Sequence, residues 1–214
     1  LLPTHRDLRC APGFGTDGEA AARNEASFWA GLWEKLACPV VQLSFDPPPA
    51  RPLGELDGII AGGLLDHVRL SNRTLAQAAS GRAALVDMEY LVARLGFERW
   101  HDARLFTLCK QPFAMEAIPA LTDALASAAA GLVGHGRKCL MLDLDNTLWG
   151  GEIGDLGNEG ITLGSETPEG EAFVAFQTYC KRLAERGVVL AVCSKNRDEI
   201  ARQPFYSHGA MVLK

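Results

Sequence analysis

The strongest constraint in the 214-residue sequence is a pair of short apolar runs flanking an amphipathic stretch. Lys138-Cys-Leu-Met-Leu142 and Val188-Val-Leu-Ala-Val-Cys193 enclose Glu169–Arg186, which has helical spacing and is stopped by Gly187. Strands that face helices on both sides read as continuous apolar runs, whereas half-exposed antiparallel strands alternate. Strand, helix and strand in this order predict a parallel βαβ unit, with both strands buried.

Chemistry-bearing residues follow each strand. Asp143 and Asp145 stand two apart where the first strand ends, so a strand period puts both on one side, at the sheet edge where α/β proteins bind ligands. Two carboxylates this close call for a cation or a shared proton. Mg²⁺ suits the pair, because it takes oxygen ligands and keeps waters and phosphate oxygens in its shell. One aspartate can then attack phosphorus while the other gives a proton to the leaving oxygen. The second strand runs into Ser194-Lys195-Asn196, offering a hydroxyl and a positive charge to a phosphoryl group. Gly150-Gly151 permits a sharp turn after Asn146-Thr147-Leu148.

Upstream, apolar spacing predicts helices over 19–36, 64–79, 89–95 and 116–132 and strands over 39–45 and 83–87, with residues 1–23 loop-like. Gly134-His-Gly136 marks a boundary between regions 1–134 and 135–214. Met211-Val-Leu213 reads as a further strand, and a chain stopping directly after it suggests a fragment.

Hydrophobic residues at 48% and charged residues at 22% fit a globular chain. A net charge of −5 without a basic stripe gives nucleic-acid binding no support. No apolar run is long enough for a membrane span, and the first residues lack a secretory layout, so the expected location is cytoplasmic. The six cysteines (10, 38, 109, 139, 180, 193) form no CxxC pair and read mostly as reduced core thiols.

The motif Asp143-Leu-Asp-Asn-Thr-Leu148 with Val192-Cys-Ser-Lys-Asn196 resembles the first two motifs of the haloacid-dehalogenase (HAD) superfamily. Arg137–Gly151, Gly170-Glu-Ala-Phe173, Ala191–Asn196, Pro204-Phe205 and Met211–Lys214 resemble its FkbH-like subfamily more narrowly. Phe45-Asp-Pro-Pro-Pro49, Arg51-Pro-Leu-Gly54 and Lys110-Gln-Pro-Phe113 extend the likeness upstream.

The resemblance implies an α/β fold: a HAD-type Rossmann-like parallel sheet, preceded by part of an SGNH-hydrolase-like, flavodoxin-like α/β domain without its Gly-Asp-Ser nucleophile. It implies Mg²⁺ held by Asp143 and Asp145, with Asp143 as nucleophile. Thr147, Ser194, Lys195 and Asn196 are then phosphate-binding. The activity implied is phosphate removal from 1,3-bisphosphoglycerate and loading of a glyceryl unit onto an acyl carrier protein through an enzyme thioester, in polyketide biosynthesis. Cys193 is the candidate for the thioester and Cys139 the next. The later motifs of the superfamily have no match here. A phosphatase acting on another small metabolite, or a carrier-protein-binding module with an incomplete site, are the alternatives. His101 and Asp102 are adjacent and so are not expected to form a catalytic pair.

Overall fold

Two parallel strand pairs, each closed by a helical crossover, organise the chain. The computed structural model describes residues 1–9 and 17–214 and divides into two compact units, Leu1–His135 and Gly136–Lys214. Both are α/β, the class expected from the alternation of apolar strands and amphipathic helices.

In the N-terminal unit the order is α1 (Gly18–Glu34), β1 (Val40–Leu43), α2 (Leu64–Ala78), β2 (Ala83–Val86), α3 (Met88–Leu95), α4 (Phe97–Trp100), α5 (Ala103–Cys109) and α6 (Ile118–Leu132). β1 and β2 run parallel in the register Val40↔Ala83 to Leu43↔Val86. Leu1 adds a backbone pairing beyond β1: its N–H₃⁺ donates to Val41 O at 2.8 Å, and Leu43 N–H donates to Leu1 O at 3.1 Å. Alternation along the strands sends Val40 and Leu85 toward Trp33 of α1 and Val68 and Leu75 of α2. Leu43 and Val86 face the opposite core of Leu91, Val92, Trp100 and Leu121. Helices therefore cover both faces.

The first residues are irregular, as expected, apart from a 3-10 turn at His5–Asp7, and they are fastened to the end of β1. Asp46, 1% exposed, accepts hydrogen bonds from His5 N (2.7 Å), His5 Nδ1 (2.9 Å) and Trp100 Nε1 (3.0 Å). Burial alone pushes this carboxyl up. The hydrogen bonds and charge of His5, with the Trp100 indole, outweigh it and hold Asp46 below the ordinary carboxylate range. His101 and Asp102 do not pair. His101 Nε2 lies 3.0 Å from Pro47 O, while Asp102 caps α5 and meets Arg104.

The C-terminal unit runs β3 (Cys139–Leu142), α7 (Ile153–Gly160), α8 (Pro168–Glu185), β4 (Val189–Val192), α9 (Asp198–Ala201) and α10 (Gln203–Ser207). β3 and β4 are parallel, in the register Cys139↔Val189 to Leu142↔Val192. One face, carrying Leu140, Leu142 and Leu190, packs with Leu144, Leu148, Trp149, Ile153 and Cys180. The other face departs from the expectation of buried strands: Met141 is 67% exposed and Val189 61%. The helix crossover shields one side only. Residues 211–213 are irregular rather than a strand, because Val212 and Leu213 spend their N–H groups on a side chain of α8 (Gln177) and not on a sheet.

The described cysteines are free, as expected, but the expectation that most lie in the core is overturned. Cys38, Cys109, Cys139 and Cys193 are exposed, and of the described thiols only Cys180 is buried, where desolvation raises its pKa. Cys10 lies outside the described residues. Among the described residues, no helix is long and apolar enough to cross a membrane.

Candidate active site

The strand ends at Leu142, and the two aspartates part company just beyond it. Asp143 is exposed. The chain then closes a helical turn, with Thr147 N and Leu148 N both donating to Leu144 O at 3.1 and 2.8 Å. That turn breaks the two-residue period and carries Asp145 inward. Its Oδ1 accepts from Trp149 Nε1 and Ile153 N, each at 3.1 Å, and its Oδ2 accepts from Asn196 Nδ2 at 2.7 Å. The pair is thus one open carboxylate and one tethered carboxylate.

Asn146 makes the turn possible. Its φ of 56° lies in the left-handed region that asparagine tolerates better than most residues, and its Oδ1 accepts from Gly151 N at 2.8 Å. Gly150 then exchanges two 2.9 Å backbone hydrogen bonds with Thr162. A Cβ on Gly150 would come within 3.0 Å of Thr162 and 3.1 Å of Phe173.

The β4 side meets this loop closely. Cys193 N–H donates to Leu142 O at 2.9 Å, extending the ladder one step past the strand. Carrying the register forward sets Cys193 opposite Asp143, on the face that bears Met141 and Ala191. Neighbouring strands lie about 4.8 Å apart, so the two backbone positions are neighbours at the sheet edge. Ser194 Oγ accepts from Asn196 N at 3.1 Å, a local turn that reorients the chain after Cys193.

Ser194 and Asn196 also line a cavity of about 420 Å³ with Leu144, Arg202, Tyr206 and Lys214. Lys195 is exposed and Thr147 half-buried. Asn196 is occupied by Asp145, so its geometry is that of a carboxylate holder.

Two supporting residues escaped the sequence reading. Trp149 is fully buried. Gln177, also 0% exposed, donates from Nε2 to Leu148 O at 2.8 Å, and its Oε1 accepts from Val212 N (2.9 Å) and Leu213 N (3.3 Å). Its available signal was a glutamine three residues before Cys180, on the apolar side of α8.

Among the described residues, no group of three or more His, Cys, Asp or Glu side chains could hold a metal by itself. Two carboxylates fit Mg²⁺ when waters and phosphate oxygens complete its shell, which is the habit of that ion.

No protein-family model matches the sequence, and no curated protein matches it. A solved structure does: the crystal structure of the N-terminal part of the protein BF1531 from Bacteroides fragilis, containing a phosphatase domain and complexed with Mg. The likeness has a TM-score of 0.81 and 28% sequence identity over 92% of this chain and 53% of that one. This chain spans about half the length of the structure it matches and shares its fold over that half.

Proposed function

We propose that Gly136–Lys214 is the front part of a Mg²⁺-dependent, HAD-type aspartyl-phosphate centre. Its substrate in this reading is 1,3-bisphosphoglycerate, and it delivers a glyceryl unit to an acyl carrier protein. The N-terminal unit is the partial SGNH-like region of that reading and has no hydrolytic part in it. The observation that supports this reading is the backbone register, which, carried one step past Leu142↔Val192, makes Cys193 and Asp143 neighbouring positions. Likeness to a phosphatase-domain structure complexed with Mg supports the phosphate half of it.

A glyceryl product bears no phosphate, so the chemistry divides in two. In phosphate removal, an Asp143 carboxylate oxygen attacks phosphorus, the ester P–O bond breaks, and Asp145 gives a proton to the leaving oxygen. Water then cleaves the aspartyl phosphate. In acyl transfer, the Cys193 thiolate attacks the acyl-phosphate carbon, the C–O bond to phosphate breaks, and the thioester passes to the carrier's thiol. Asp143 and Asp145 would hold Mg²⁺, which would supply charge neutralisation and orient the phosphate. In this reading Ser194 and Lys195 contact the phosphoryl oxygens, with Thr147 on the nucleophile turn.

The test is intact-mass analysis of an acyl carrier protein after incubation with the protein, Mg²⁺ and 1,3-bisphosphoglycerate, with phosphate release followed in parallel. A mass gain of one glyceryl unit and, in Asp143→Asn, loss of release of the ester phosphate are expected. An unmodified carrier removes the transfer reading, and a variant that keeps turnover removes Asp143 as nucleophile.

A further inference from the structure

Each Asp145 oxygen can accept about two hydrogen bonds. Oδ1 takes both of its donors, the Trp149 indole and the Ile153 amide, while Oδ2 takes one, from Asn196. A single acceptor position is therefore left on this carboxylate, and it belongs to Oδ2.

The three donors differ in stiffness. Asn196 offers a rotatable amide, and Ile153 is the first residue of a short helix. The Trp149 ring is 0% exposed, packed with Leu142, Leu144 and Leu148, and set edge-on to Phe205 with ring centroids 6.1 Å apart. Its N–H cannot turn away without drawing the ring out of the core. The residue before it is fixed too, since Leu148 O is held by Gln177. A phenylalanine would fill most of the same apolar space. What tryptophan adds is one rigid donor, aimed at Asp145.

We propose that Trp149 is a positioning residue: it fixes the rotation of the Asp145 carboxylate so that Oδ2, and not Oδ1, faces the ligand. This rests on the reading above in which Asp145 works beside Asp143.

The indole is also its own reporter. The chain has four tryptophans, and the other three indoles bond elsewhere: Trp29 to Glu25, Trp33 to Gln42 and Trp100 to Asp46. In the ¹⁵N-labelled full chain, Asp145→Asn is expected to shift the Trp149 indole N–H resonance and leave those three in place. The signal is assigned by its disappearance in Trp149→Phe.

With p-nitrophenyl phosphate and Mg²⁺, Trp149→Phe is expected to lower kcat about tenfold while KM stays within about twofold, since hydrogen bonds to charged groups carry that order of energy. An indole resonance unmoved by Asp145→Asn overturns the proposal, whether or not Trp149→Phe folds. So does a folded Trp149→Phe that retains wild-type kcat while Asp143→Asn is inactive. If Asp143→Asn itself keeps wild-type turnover, the aspartyl-phosphate reading is what fails.

Discussion

Replacing Gln177 by leucine removes one buried amide and strands three backbone groups. Leu148 O loses its donor, and Val212 N and Leu213 N lose their acceptor. An unsatisfied buried polar group costs about 1–3 kcal/mol. The Val212 and Leu213 amides are only partly buried and can recover some solvation, and the leucine gains from its own burial. The net is about 2–4 kcal/mol of destabilisation. For a chain of this size each kcal/mol lowers Tm by roughly 2–4 °C, so a drop of about 5–15 °C is expected by calorimetry. Gln177→Glu keeps an acceptor for Val212 and Leu213, but its ionised carboxylate repels Leu148 O, and it falls in the same range. A Gln177→Leu variant within about 0.5 kcal/mol of wild type would refute the reasoning, because the three backbone groups would then have found other partners at no cost.

Four shorter expectations stand beside it. Asp46 has a depressed pKa in the folded chain, so its stabilising contribution is complete above its unfolded value of about 4 and is lost as pH falls through the folded value. Between pH 5 and 3 the wild type should therefore lose more Tm than Asp46→Asn, and parallel curves would contradict the assignment. Gly170→Ala should lower Tm sharply, because a Cβ there would lie 2.6 Å from the backbone oxygen of Gly164; an unchanged melting curve would refute it. EDTA should stop phosphate release and Mg²⁺ should restore it better than Ca²⁺, which prefers more ligands at longer distances; full activity in excess chelator would exclude the metal-assisted reading. Cys193→Ala should abolish carrier loading while phosphate release persists, and unchanged loading would move the thioester elsewhere, with Cys139 next.

What could be read from sequence alone follows from how locally each signal is encoded. Helices α1, α2 and α8 run for several turns, so their apolar spacing repeats enough to be seen. Helices α4, α9 and α10 span four or five residues and show no period. Asp143 and Asp145 were legible because a strand end, two carboxylates and a glycine pair are contiguous. That one carboxylate is open and the other tethered was not. It depends on Asn146 entering a left-handed conformation and on donors from Trp149, Ile153 and Asn196, the last of them 51 positions away. The exposure of Met141 and Val189 was hidden for a related reason: an apolar strand records the chemistry of its residues and says nothing about how many faces a crossover covers.

The Asp145–Asn196 hydrogen bond also bears on the order in which the molecule assembles. It joins residues 51 apart, and it can form only after α8 has folded back and β4 has found its register beside β3. Helices such as α8 build from local contacts in microseconds, while parallel pairing waits for the closure of a long loop. On refolding from denaturant, helical circular dichroism should therefore return well before phosphate release does. In newly made chains the Asp145 carboxylate should therefore stay untethered for an interval after the helices have formed.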